Sequence, residues 1–101
     1  MRQIVWSETA LDDFCELIAY IMADNPQAAE SVAERVERCI ELLGEMPTGR
    51  RGRVSGTYEK VVSGLPYVIA YALTERPVGE EVTVLRIIHG ARDWSEGEWP
   101  E

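Results

Sequence analysis

Asn25-Pro26 interrupts what would otherwise be one very long helical pattern, and this break constrains the fold more than any other feature. Before it, Leu11, Phe14, Cys15, Ile18, Ile21 and Met22 recur at helical spacing, and Ser7 with Glu8 behind it gives an N-cap signal. After it, Ala29, Val32, Val36, Cys39, Ile40 and Leu43 form a second apolar stripe, with Gly44 placed as a C′ residue. Asn caps helices and Pro suits the first helical position. With almost no chain between them, the helices (residues 8–24, then onward from Pro26) must fold back as an antiparallel αα-hairpin.

The rest of the chain reads as strands. Arg2–Trp6 is short and β-prone. Thr57–Val62 ends at Ser63-Gly64, Leu65–Leu73 is the most hydrophobic segment, and a Pro77–Gly79 turn leads into Val82–His89. Short connections make the last three an antiparallel meander. The expected order is β-α-α-β-β-β, an α+β fold with the helical hairpin packed on a small, mainly antiparallel four-stranded sheet. Residues 1–94 form the single domain, and the acidic residues 95–101 read as a mobile tail.

A chain of 101 residues is enough for one core without staples. Its N-terminus lacks a signal-peptide pattern and no apolar run is long enough to span a membrane, so a cytoplasmic location is expected. Cys15 and Cys39 have no metal spacing and lie on the apolar stripes, so they read as small buried thiols. Nothing in the sequence signals metal or nucleotide use, and no cofactor is expected. The net charge of −8 argues against a general grip on nucleic acid. The charge is unevenly spread, however: the helical stretch is strongly acidic, whereas Arg50, Arg51, Arg53 and Lys60 cluster against one acid, Glu59.

The segment VTVLRIIHGARDW, Val82–Trp94, drives a hydrophobic strand into His89, Arg92, Asp93 and Trp94, and so holds polar and cationic groups at the rim of a sheet. Strand alternation puts Leu85, Ile87 and His89 on one face and Val84, Arg86 and Ile88 on the other, so Arg86 and His89 point opposite ways unless a bulge intervenes. With the strand GTYEKVV and the strand PYVIAY before it, this segment resembles the RelE/ParE superfamily of bacterial toxins, over nearly the whole chain. The resemblance implies a type II toxin neutralised by a small antitoxin. It also implies one of two activities: RelE-like members cleave mRNA within the ribosome, and ParE-like members poison DNA gyrase without cleaving.

Metal-free RNA cleavage needs an activated 2′-hydroxyl, a proton donor for the leaving oxygen and cations for the phosphate. Where the RelE-like pattern has an arginine after the strand tyrosine, this chain has Val68 after Tyr67. The YR pair further along reads Tyr71-Ala72, and the position of a C-terminal tyrosine falls near Glu98. Arg92 does match a basic position, and His89 could in principle serve as acid or base, but a lone histidine ending a strand reads as a packed or hydrogen-bonded structural residue in preference to a catalytic one. The expectation is therefore a ParE-like, non-enzymatic gyrase inhibitor with a ParD-like antitoxin partner and no membrane or sequence-specific nucleic-acid partner. A ribosome-dependent mRNA interferase and an inert antitoxin-binding relative are the alternatives. The target surface is expected at Arg86, His89, Arg92, Trp94 and Trp99, and the antitoxin surface at Arg50, Arg51, Arg53, Tyr58 and Lys60. Two open sheet edges and the groove beside the hairpin are the places where a partner strand or helix would fit.

Overall fold

The structure, a computed structural model, describes residues 2–52 and 54–89. Its elements run β1 (Gln3–Trp6), α1 (Glu8–Asp24), α2 (Pro26–Glu45), β2 (Arg50–Arg51), β3 (Tyr58–Val61), β4 (Tyr67–Arg76) and β5 (Gly79–His89). The sheet order is β1-β5-β4-β3-β2, with β1 parallel to β5 and the other neighbours antiparallel. The class and the order of the helices match the expectation, but the sheet has five strands rather than four. The extra strand is β2, only two residues long, cut from what reads in sequence as a basic connector. It lies against β3 because Gly49, at φ +123°, lets the chain pass directly over the Glu59 carbonyl, where a Cβ would collide. No helix among the described residues is long and apolar enough to cross a membrane.

Asn25 serves both helices. Its backbone N–H donates to the Ile21 carbonyl at 2.7 Å, ending α1, and its side-chain Oδ1 accepts from Ala28 N at 3.1 Å, starting α2. Pro26 then supplies a first helical position that needs no donor. At the front of α1, the Ser7 hydroxyl accepts from Ala10 N at 3.0 Å and donates to the Leu85 carbonyl at 3.0 Å, so the cap also ties α1 to β5. Gly44 is not a C′ residue but lies inside α2, which Met46 caps. Its glycine serves close approach: an added Cβ would sit 3.1 Å from the Arg2 carbonyl and 3.2 Å from Ile4.

The core lies between the hairpin and one face of the sheet. Ala10, Val36, Ile40 and Leu43 pack against Val62, Ile69, Tyr71, Val82, Val84 and Ile87. Trp6 and Phe14 meet edge-on at 5.4 Å beside them. The face of α1 turned to the core differs from the stripe expected. Phe14 and Leu17 pack inward with Ala10, while Leu11 is 48% exposed, Met22 is 52% exposed and Cys15 is exposed as well. The expectation of two buried thiols therefore fails for Cys15, and Cys39 is half-buried.

β5 carries a bulge. Ala70 of β4 pairs with Arg86 and Tyr71 with Val84, which leaves Leu85 as the extra residue. The bulge moves Val84 onto the face of Ile87, against simple alternation, so both reach the core. Beyond it the register is regular, with Arg86 opposite Ala70 and His89 opposite Tyr67, so these two side chains start from opposite faces as expected. β1 stops opposite Val84 just before the bulge. Where a strand would have continued, Asp13 of α1 accepts from Ile87 N at 3.0 Å through Oδ2. The same carboxylate takes Arg86 Nε at 3.0 Å and Arg86 NH2 at 3.1 Å. Both side chains of this pair are largely buried.

Two stability predictions follow from these contacts. Asp13→Ala removes three charge-assisted hydrogen bonds, two of them from a mostly buried guanidinium. It is expected to cost about 2–4 kcal/mol in denaturant unfolding, and the double variant with Arg86→Met less than the sum of the singles. Asn25→Ala is expected to cost about 1 kcal/mol, a fall in Tm of about 4–8 °C by thermal unfolding.

Candidate functional site

Three regions collect side chains able to meet a partner. At the rim of β5, Arg86 is held by Asp13, and His89 meets Tyr67 edge-on with ring centroids 5.9 Å apart. Burial pushes the Tyr67 phenol above its usual range, and the nearby Tyr20 adds to the rise. Arg92, Trp94 and Trp99, the other residues expected there, lie outside the described residues, as does the C-terminal tail.

The second region is the sheet face turned away from the helices. Directly opposed residues share a face, so Glu59, Ala70 and Arg86 lie in one row and Val61, Val68 and Ile88 in the next. Val68 is buried, and Ala70 and Ile88 pack with Val54 into a small second core. Glu59 is only 2% exposed, and Arg50 reaches it at 3.3 Å from β2. A buried carboxylate needs such partners to stay charged. The Thr57 hydroxyl donates to the Val54 carbonyl at 2.6 Å and fixes the loop that covers this face.

The third region is a groove of about 360 Å³ between α2 and β3, lined by Arg35, Arg38, Cys39, Leu42, Lys60 and Val61–Ser63. Arg35 crosses the groove and donates to the Ser63 carbonyl, while Arg38 and Lys60 make no hydrogen bond or ion pair among the described residues. Burial pushes the Cys39 thiol above its usual range, and the Lys60 ammonium beside it partly offsets that rise. On the same sheet face, Tyr58 stacks on Tyr71 at 5.5 Å, and the Tyr71 hydroxyl donates to the Thr48 carbonyl at 2.6 Å. Burial raises the Tyr71 pKa, Tyr58 adds to the rise, and Arg2 opposes it.

The structure divides the basic set expected to bind an antitoxin. Arg50 turns to Glu59 on the far face, while Arg51, Tyr58 and Lys60 share the helix-side face by cross-strand pairing and alternation. Arg53 lies outside the described residues. Sequence reasoning missed Arg35, Arg38 and Leu42, which join Lys60 across some twenty residues of chain, and Asp13, which reaches β5 from α1. Alternation along Tyr58–Val62 was the one signal that separates Glu59 from Lys60. Among the described residues, no group of His, Cys, Asp and Glu is arranged to hold a metal ion.

The two thiols are expected to differ in reactivity. Only the thiolate is nucleophilic, so the half-buried Cys39, with its raised pKa, should be alkylated by iodoacetamide at pH 7–8 well after the exposed Cys15. Mass spectrometry of timed samples checks this; faster modification of Cys39 would contradict it.

Residues 4–94 match the family described as the ParE toxin of type II toxin–antitoxin systems, parDE. The chain is 33% identical to the putative toxin Y4kP of Sinorhizobium fredii over 94% of its own length and 95% of the relative's. It is 36% identical to the toxin RelE2 of Caulobacter vibrioides, covering 91% of this chain and 99% of that one. In fold it is similar to a chain of the chromosomal ParDE system from P. aeruginosa, with a TM-score of 0.78 at 18% identity over 88% of this chain and 96% of that one. The fold, the strand motifs and these relationships together show that the chain belongs to the ParE toxin family of type II toxin–antitoxin systems.

Proposed function

We propose that this toxin acts by binding rather than by cleaving, that its target is DNA gyrase, and that a ParD-like antitoxin neutralises it in the cytoplasm. The observation that carries this reading is the sheet face turned away from the helices. Phosphodiester cleavage on that face would need cations to stabilise the phosphate. The positions that the nuclease pattern fills with such cations hold Val68 and Ala72, and Val68 is buried beside Ala70 and Ile88. The row next to them contains the buried carboxylate of Glu59, whose charge would oppose a phosphate. Arg86, the cation on that row, already spends its guanidinium on Asp13. The net charge of −8 also disfavours a site among ribosomal RNA phosphates.

The RelE names of the Caulobacter relatives favour mRNA cleavage as the second reading. Purified toxin added to gyrase and, separately, to translating ribosomes distinguishes them. Loss of DNA supercoiling with ribosome-bound mRNA left intact is the expected outcome. Codon-dependent mRNA cleavage at stoichiometric toxin would overturn the gyrase reading, and inactivity in both assays would leave an antitoxin-binding relative. In cells, expression without an antitoxin should arrest growth with filamentation and a DNA-damage response rather than an immediate halt in translation.

A further inference from the structure

We infer that the recess at the junction of α1 and α2 receives an arginine or lysine side chain of the toxin's target, stacked on the Tyr20 ring and paired with the Asp24 carboxylate. The inference rests on the reading of this chain as a gyrase inhibitor and adds the surface, and the chemistry, by which it grips that enzyme.

The recess is a product of the helical hairpin. It encloses about 720 Å³ between Tyr20, Ile21, Ala23 and Asp24 at the end of α1 and Asn25 and Ala28 at the start of α2. The Asn25 side chain, by capping α2 through Ala28 N, fixes these walls relative to one another. A ligand therefore meets a site that is already formed, which lowers the cost of binding. Tyr20 is 82% exposed despite its large apolar ring. The core does not use it, because α1 reaches the core through Ala10, Phe14 and Leu17. The Tyr67 phenol lies close enough to Tyr20 to feel its charge, and Tyr67 in turn meets His89 edge-on at 5.9 Å. Rings from α1, β4 and β5 thus gather at one end of the molecule. Tyrosines gathered on a surface are the usual anchors of a protein interface.

The walls select a cation. Asp24 is exposed and makes no hydrogen bond or ion pair among the described residues, and no Lys, Arg or His lines the recess. Glu16 and Asp24 stand four residues before and after Tyr20 on the same side of α1, so carboxylates flank the ring. A carboxylate beside an open aromatic face receives a guanidinium or an ammonium twice over, as an ion pair and as a cation–π contact. Ile21, Ala23 and Ala28 give the methylene stem of such a side chain an apolar path. An enzyme that holds DNA presents lysines and arginines to the phosphates, so gyrase carries the matching side chains on its DNA-facing surface. A nucleic acid itself would be repelled by Glu16 and Asp24. A second copy of this chain would bring one acidic hairpin against another.

The test measures inhibition of gyrase supercoiling by the full-length toxin and its variants, with thermal unfolding to show that each is folded. Tyr20→Ala should raise the half-inhibitory concentration about tenfold, whereas Tyr20→Phe, which keeps the ring, should stay within about threefold of wild type. Asp24→Lys should raise it about 30-fold or more, because attraction to the bound cation becomes repulsion. Glu37→Lys makes the same change of charge on α2, away from the recess, and should alter potency less than about threefold. Full potency of Tyr20→Ala and Asp24→Lys, or an equal loss in Glu37→Lys, would overturn the recess as the receptor while leaving the gyrase reading intact. Weaker binding of a ParD-like antitoxin by Asp24→Lys, with gyrase inhibition unchanged, would assign the recess to the antitoxin and overturn the proposal. A wild-type dimer that Asp24→Lys dissociates, again with inhibition unchanged, would assign it to a second copy with the same consequence. A wild-type toxin without effect on gyrase would overturn both the gyrase reading and this inference.

Discussion

The Asp13 carboxylate is the contact on which the arrangement of this molecule depends. β1 is too short to accompany β5 to its end, so the strand that carries the rim would have an unsatisfied edge from the bulge onward. A side chain from α1 replaces the missing strand: one oxygen accepts the Ile87 N–H and both hold the Arg86 guanidinium. Hydrogen bonds to charged groups contribute roughly 1.5–3 kcal/mol each when kept from water, against about 1 for a neutral pair. The first turns of α1 are thereby fixed to β5 at two successive places, Ser7 at Leu85 and Asp13 at Ile87. The rest of the hairpin follows, because the Asn25 junction leaves α2 little freedom of direction.

The bulge at Leu85 is the counterpart of that contact. By adding one residue it lets Val82, Val84 and Ile87 all face the helices, and it leaves Arg86 opposite Ala70 at the sheet edge, within reach of Asp13. Bulges re-aim side chains in this way at the ends of pairing. Here the consequence is chemical as well as geometric. The Arg86 guanidinium is engaged by Asp13 inside the fold, and the neighbouring row is filled by Val68 and Ile88.

Much of this fold was legible in the sequence, and what was not has identifiable causes. Asn25-Pro26, the Ser7 cap and the hydrophobic β4 carry local signals, and the structure has each of them in place. The face of α1 was misread because Leu11, Cys15 and Met22 lie at the same helical spacing as Phe14 and Ile18, and spacing alone does not tell a core face from an apolar flank. β2 is shorter than any period, and the bulge at Leu85 has no glycine or other local mark, so neither could be read before the strands were paired. The basic set looked like one cluster because its members are close in sequence. Alternation separates Lys60 from Arg50, and only the packing of α2 on β3 joins Lys60 to Arg38. The expected rim residues Arg92, Trp94 and Trp99 fall outside the described residues, which include the rim's base, Arg86 and His89.

The excess of acid and the basic groove are better understood together than apart. Over most of its surface a chain at −8 repels other acidic proteins, and the acids of α1 stand beside exposed apolar residues that would otherwise invite loose association. Screening confines that repulsion to about 8 Å at physiological salt, so it acts on contact rather than at a distance. Among the described residues, Arg38, Arg51 and Lys60 are cations that make no hydrogen bond or ion pair with the rest of the chain. Discrimination of this kind comes as much from the unfavourable surroundings as from the attraction at the site. It also explains why Arg50 and Arg86, though cationic, add nothing to such a surface: each is committed to a carboxylate of its own chain, and a partner would have to break that pair before gaining its charge.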